Sequence, residues 1–454
     1  MQLWLKGLLQ SVLAFGASWF GAVWYWRSTN RMPATGELAT YLIALPVALL
    51  LAFWVLAKGA ALWQARSAAA PAGPVQDNPT PADTTAVAAP IATTAALHIA
   101  AAALCVPHGE SAAELERALA ANTARAELDP ALEDDDGFPV MCARAAYIDE
   151  AAMEESIRQW REDESLPPMA ARPEYWRALA LATPVMRDLA VTAASHEALA
   201  NKGSAAQTVP MLQLALLLPA DWPTPWREAA GQWLQQQLAG IGWPRQRSAV
   251  TIYPESTPAT LLAMLHGSGL PCFTLLLACA SNVGSHTVNR WSERNVLFTA
   301  KQPQGLMPGE GAAGLLLASS EHAARMDALS APAPQLAAIH AGSAGRNILT
   351  QLAQSSCQTA PARIVADTGH SSERVMEVMG AAHALLPELD PTQDIATLGT
   401  ATGHAGHAGA MAALAYAVHE TQARNQPVLC LTNEDPQQRC AVLIAPAASA
   451  TPGS

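Results

Sequence analysis

Two kinds of apolar run divide this chain. Near the N-terminus they are long and unbroken: Leu9–Trp26 (LQSVLAFGASWFGAVWYW) and Ala39–Ala57 (ATYLIALPVALLLAFWVLA), the second without a charge. A helix needs about 20 apolar residues to cross a ~30 Å hydrocarbon core. A helix in a soluble core would show a polar face, and the second run has none. Trp24, Tyr25 and Trp26 close the first run just before Arg27, as an interfacial aromatic belt does. Pro46 is tolerable within a membrane helix. The pattern predicts a transmembrane hairpin over residues 1–66. A cleaved signal peptide is the rival reading. The aromatic end of the first run and the second run so soon after it weigh against that.

From residue 96 the apolar runs shorten and alternate with stretches of helical period. The predicted strands are Leu97–Val106, Val209–Leu218, Val250–Tyr253, Pro271–Ala280 and Gly314–Ser319. A second series follows with Gln335–Ala341, Arg363–Ala366, Asp394–Leu398, Val428–Leu431 and Cys440–Ile444. Helices are predicted at Glu114–Arg125, Thr224–Ile241, Leu261–His266, Ile348–Ser356, Val375–Leu386 and Gly409–Arg424. Continuous apolar strands between helices imply sheets covered on both faces. Because the series runs twice, the expected fold class is α/β, a pseudo-duplicated α/β/α sandwich. Its halves are residues 96–330 and 331–447, with a tail at 448–454. An interruption near 128–202 reads as an insertion of helices and loops. Residues 67–95, rich in Ala, Pro and Thr and without periodicity, read as a disordered linker.

Composition changes the picture in two places. The chain is 51% hydrophobic and 14% charged, against about 25% charged for an ordinary soluble domain, which excludes a disordered chain. Its net charge of −12 disfavours a nucleic-acid partner. That charge is unevenly spread: residues 1–66 carry five basic groups and one acidic, leaving −16 for the rest. An acidic module of this kind is held off an anionic leaflet rather than laid on it. The flanking basic residues Lys6, Lys58 and Arg66 outweigh Arg27 and Arg31 by a small margin, which favours cytoplasmic termini. Seven scattered cysteines with no C-x-x-C pair read as buried free thiols, not as a disulfide framework or thiolate zinc site.

Chemical motifs are sparse. The acidic run Glu133–Asp136 lacks calcium-loop spacing and reads as a solvated loop. Gly267-Ser268-Gly269 is no phosphate loop, and no Gly-x-Ser-x-Gly elbow is present. Three ordered segments carry a resemblance. Gly305–Ala318 (GLMPGEGAAGLLLA) has a Gly-Glu-Gly turn leading into an apolar strand. Arg363–Glu377 (RIVADTGHSSERVME) is a strand followed by a turn. Gly399–Leu414 (GTATGHAGHAGAMAAL) is a Gly-His loop before an Ala-rich helix. Together they resemble the β-ketoacyl synthases and their thiolase-like fold.

A condensing enzyme needs a cysteine thiolate at a helix N-terminus and two basic side chains to drive decarboxylation. The resemblance places the nucleophile near Glu255–Thr257, where Glu255 and Ser256 stand and no cysteine does. It places the first histidine near Asp367; only His404 matches the second. Glu255, Ser256, Asp367 and His404 are therefore pseudo-active-site positions, and no catalytic residue is carried over. His404 also fits a plain polar loop residue or a fold-supporting hydrogen bond. His370, His404 and His407, with Asp367 and Glu373, are metal candidates only if the loops converge. Glu310 is expected to hold backbone N–H groups rather than act as an acid. Cys272 and Cys279 fall inside a strand, where structural thiols go.

Hairpin, linker and a domain stripped of its expected catalytic groups also resemble the type VI lipase-adapter family of Gram-negative secretion systems. That resemblance implies a non-catalytic adapter tethered to the inner membrane through residues 9–57, with the soluble domain cytoplasmic. Its partners would be a phospholipase effector and a secretion spike protein. It implies no cofactor and allows a homodimer. The alternatives are an acyltransferase or condensing enzyme with a relocated nucleophile, and an envelope-anchored structural protein.

Overall fold

The computed structural model describes residues 97–200, 209–268, 273–326, 329, 332–345, 347–357 and 359–447. The described residues all lie in the second of the chain's two units, Pro90–Ser454. The expected transmembrane hairpin, linker and C-terminal tail lie outside the described residues. Among the described residues, no helix is long and apolar enough to cross a membrane.

The second unit holds a ten-stranded sheet built twice from one plan. The first half uses β1 (Leu97–Cys105), β4 (Leu212–Leu217), β5 (Ser248–Ile252), β6 (Phe273–Ser281) and β7 (Glu310–Ser319). The second uses β8 (Gln335–Ser343), β9 (Arg363–Ala366), β10 (Ile395–Thr397), β11 (Val428–Thr432) and β12 (Gln438–Ala445). The spatial order is β5-β4-β6-β7-β1 and then, mirrored, β8-β12-β11-β9-β10. In each half the second strand pairs parallel with the third and fourth, while the fifth runs antiparallel to its neighbours. Within the large sheet the two half-sheets join through a single ladder pair, His98↔Gln335, beside a bond from Ile99 N–H to Pro334 O at 2.8 Å.

Helices cover both faces of each half-sheet. In chain order the longer helices are α1 (Ala112–Ala120), α2 (Glu150–Asp163), α3 (Pro173–Ala194), α4 (Thr224–Gly240), α5 (Pro258–Ser268), α6 (Ser285–Glu293), α7 (Ile348–Ser356), α8 (Ser372–Leu385) and α9 (His407–Arg424). Along β6, Leu275, Leu277 and Cys279 face a core shared with α2, α3 and α4. Leu276, Ala278 and Ala280 face the opposite core, shared with α5, α9 and strands of the second half. Burial on both sides is why β6 reads as an unbroken apolar run instead of an alternating one. A third core joins α7 and α8 to the far face of β9, β11 and β12. The layers are thus helix, sheet, central helices, sheet, helix.

The stretch expected as an insertion, 128–202, is of two kinds. A two-stranded hairpin of β2 (Glu127–Glu133) and β3 (Pro139–Cys142), together with α2, has no counterpart in the second half. α3 does have one. It packs on β1, β6 and β7 as α7 packs on β8 and β12, so it is the crossover helix of the repeat. The acidic run lies in the β2–β3 turn, where Asp134 Oδ1 accepts from the N–H groups of Asp136 and Phe138 at 3.0 and 2.9 Å.

Candidate functional site

A cavity of ≈ 160 Å³ opens where the two halves present their loops: the start of α5, the turn after β9, the loop before α9 and the β11–β12 turn. Polar groups on its wall include Thr257, Asp367, His404, His407, Glu434 and Gln438. Ala259, Ala410, Leu414 and Val442 supply apolar wall.

Thr257 caps α5. Its Oγ1 accepts from Thr260 N–H at 3.2 Å, the usual satisfaction of an orphan donor in the first helical turn. The same hydroxyl donates to Gln438 Oε1 at 3.0 Å and lies 2.8 Å from Thr260 Oγ1. Its proton is directed to an amide oxygen, and an amide is no base.

Asp367 follows β9 and is buried. Its Oδ1 accepts from the backbone N–H groups of Asn433 at 2.8 Å and Glu434 at 3.2 Å, which ties the β9 turn to the β11–β12 turn. Burial pushes this carboxyl up to about 7; the Glu434 carboxylate adds to the rise, and the two N–H bonds oppose it. Glu434 Oε2 accepts from Gly369 N–H at 3.0 Å, and its Oε1 lies 3.7 Å from His404 Nδ1, beyond hydrogen-bond reach. Burial pushes the Glu434 carboxyl up, but the neighbouring imidazole and the Gly369 N–H outweigh it, and the group sits below its usual range.

His404 is positioned by its backbone. Its N–H donates to Met307 O at 2.7 Å, and its carbonyl accepts from Asn282 Nδ2 at 2.7 Å. Its ring meets Trp291 edge-on, with centroids 5.7 Å apart. The approach depends on glycine. Gly403 has φ +64° and packs on Gly309, where a Cβ would run into the Thr402 carbonyl. The Gly-Glu-Gly turn and the Gly-His loop, about ninety residues apart in the chain, thus form one contact.

Glu310, the middle residue of that turn, is fully buried. It accepts from Ala145 N–H at 2.7 Å, from Ser281 Oγ at 2.8 Å and from Arg177 at 2.9 and 2.6 Å. It therefore does hold backbone, and Arg177 of α3 supplies the countercharge.

The expected positions separate as follows. Asp367 and His404 share the cavity wall. Glu255 is exposed and Ser256 half-buried, and neither lines the cavity; of the expected stretch Glu255–Thr257 only Thr257 does. His407 lines the cavity, and burial draws its imidazole below the ordinary value. His370 does not; it packs on Phe298 with centroids 4.5 Å apart. Among the described residues no three His, Cys, Asp or Glu side chains converge to hold a metal ion. Six cysteines are described and all are free. Cys279 is a buried strand thiol that burial pushes to about 12, and Cys272 lies outside the described residues. Cys440 does line the cavity; burial and the nearby Asp367 push its thiol to about 12. Sequence reasoning missed Glu434, Gln438, Cys440 and Arg177. The one available signal was Asn-Glu-Asp-Pro at 433–436, a polar turn between two apolar strands.

No protein-family model matches the chain, and no curated protein does. Solved structures do. One is a Streptomyces albus JA3453 oxazolomycin ketosynthase domain, 13% identical, covering 79% of this chain and 76% of that one, with a TM-score of 0.51. Another is the ketosynthase from module 6 of the bacillaene synthase of Bacillus subtilis 168, 12% identical, covering 78% and 72%, with a TM-score of 0.51. The fold is ketosynthase-like. At this identity the likeness concerns architecture: the mirrored halves, the paired central helices and the loops that meet between them.

Proposed function

We propose that this chain is a ketosynthase-fold adapter that has given up condensation and works by binding. The observation that carries the reading is Thr257. A hydroxyl stands at the start of α5, already bonded to Gln438 and Thr260, where the resemblance calls for a thiolate. Asp367, which accepts backbone N–H bonds, stands where a basic side chain is required. A hydroxyl attacks an acyl carbonyl only when a neighbouring base removes its proton, and none contacts Thr257. In this reading residues 9–57 anchor the chain in the inner membrane. The acidic domain receives a phospholipase effector and passes it to a type VI secretion spike.

One observation favours a second reading, an acyltransferase with a relocated nucleophile: Cys440 faces the same cavity. With its thiol near 12, the thiolate fraction at neutral pH is on the order of 10⁻⁵. That weighs against it as nucleophile.

Co-purification tests the adapter. Tagged full-length chain, co-expressed with a candidate phospholipase effector and a spike protein, is expected to retain the phospholipase through a stringent wash. A folded chain that retains neither protein would remove the adapter reading.

A further inference from the structure

We infer that the cavity between the two halves is a receptor for a primary alkylammonium group, ammonium inward and hydrocarbon against the apolar wall. The inference stands on the cavity alone and does not require the adapter reading.

Three acceptor atoms around the cavity lack a donor. Asp367 gives Oδ1 to both of its N–H partners, leaving Oδ2 without one, and the residue is only 6% exposed. Glu434 gives Oε2 to Gly369, leaving Oε1. His404 Nδ1 is a buried nitrogen without a hydrogen-bond partner. Of the three, His404 Nδ1 is the one sealed from solvent, and buried polar atoms in folded proteins are almost always satisfied, so it marks a missing donor at the cavity. Glu434 Oε1 and His404 Nδ1 lie 3.7 Å apart, too far to bond each other. A single nitrogen about 2.8 Å from each could bridge them. With His404 protonated on Nε2, its Nδ1 accepts, and an –NH₃⁺ group has three donors to offer.

Charge favours a cation over a neutral donor. Glu434 and Asp435 stand side by side on the wall, and no lysine or arginine is among the described residues that line it. Arg374, whose Nη1 donates to Asp435 O at 3.0 Å, and Arg439, whose Nε donates to Glu377 at 2.8 Å, both stay off the wall. The remaining wall is hydrocarbon from Ala259, Ala410, Leu414 and Val442. At ≈ 160 Å³ the space exceeds by about tenfold the room one water needs, which suits a short chain with a polar head. Metal chemistry fits less well, because no three metal-ligating side chains converge among the described residues.

Calorimetric titration of the full-length chain at pH 7.5 with n-pentylamine, pentan-1-ol and pentanoate tests this. The amine is expected to saturate one site at least tenfold more tightly than the alcohol, with no binding of the carboxylate. Glu434→Gln is expected to weaken the amine at least tenfold. Ala410→Phe fills the wall without touching an acid and is expected to abolish binding, its fold checked by circular dichroism. Alcohol or carboxylate binding as tight as the amine would overturn the proposal, as would amine binding unchanged in Ala410→Phe. A capped lysine amide separates the sources: binding as tight as the amine assigns a protein side chain, and binding at least tenfold weaker assigns a free amine.

Discussion

Asp367 carries a cost that pH exposes. Its carboxyl rises from 3.8 to about 7 on folding, mainly through burial. Between those values the unfolded chain has lost the proton and the folded chain keeps it, so stability falls as pH rises through the window and levels off above it. The full swing is on the order of 4 kcal/mol. Asp367→Asn keeps an oxygen for the Asn433 and Glu434 N–H groups but does not titrate. Its melting temperature relative to the parent is therefore expected to climb from pH 5 to pH 8; a constant difference would place the Asp367 carboxyl at its ordinary value. The Arg177–Glu310 pair obeys a different rule. Both groups are buried, and removing one leaves the other's charge stranded, at a cost of about 3–5 kcal/mol. Arg177→Met is expected to lose that much in urea denaturation. Arg177→Met/Glu310→Gln, which removes both charges and keeps an acceptor for Ala145, is expected to be more stable than the single variant.

Elements were far more legible in the sequence than the site was. All ten strands of the large sheet were readable, most of them because they are buried on two faces and run apolar without a break, as β6 does; β5 and β8 are only partly buried. The β2–β3 hairpin escaped because its exposed strand Glu127–Glu133 mixes acidic and apolar residues around Pro130. α2 was present in the spacing Met153, Ile157, Trp160, Arg161, yet it lay inside a stretch dismissed as inserted. Thr257 closes the expected stretch Glu255–Thr257; the length of the β5–α5 loop sets which of the three begins the helix, and periodicity does not report it. Glu434 and Arg177 act on partners 65 and 133 residues away, which no local pattern encodes. The glycine contact belongs to this scale as well. Gly309→Ala would press a Cβ on backbone that cannot rotate aside, and a loss of about 1–3 kcal/mol is expected in urea denaturation. Gly380→Ala in α8 meets nothing within 4 Å and is expected to stabilise by about 0.5–1 kcal/mol.

At the scale of the whole molecule, the mirrored half-sheets bring four loops together. Each half then offers its cavity a different chemistry. The first gives α5 and its threonine cap; the second gives Asp367, His404 and the acidic β11–β12 turn. A ketosynthase-like frame carries the cavity, and in the proposed reading its side chains hold a ligand and break no bond. The opening contrast of long and short apolar runs sharpens accordingly: the short runs are the two half-sheets, and the long runs are the proposed anchor. Intact-mass spectrometry of the purified full-length chain after incubation with acyl-coenzyme A tests the central claim most directly. The account expects an unchanged mass. A stoichiometric acyl adduct, on Cys440 or any other residue, would contradict it.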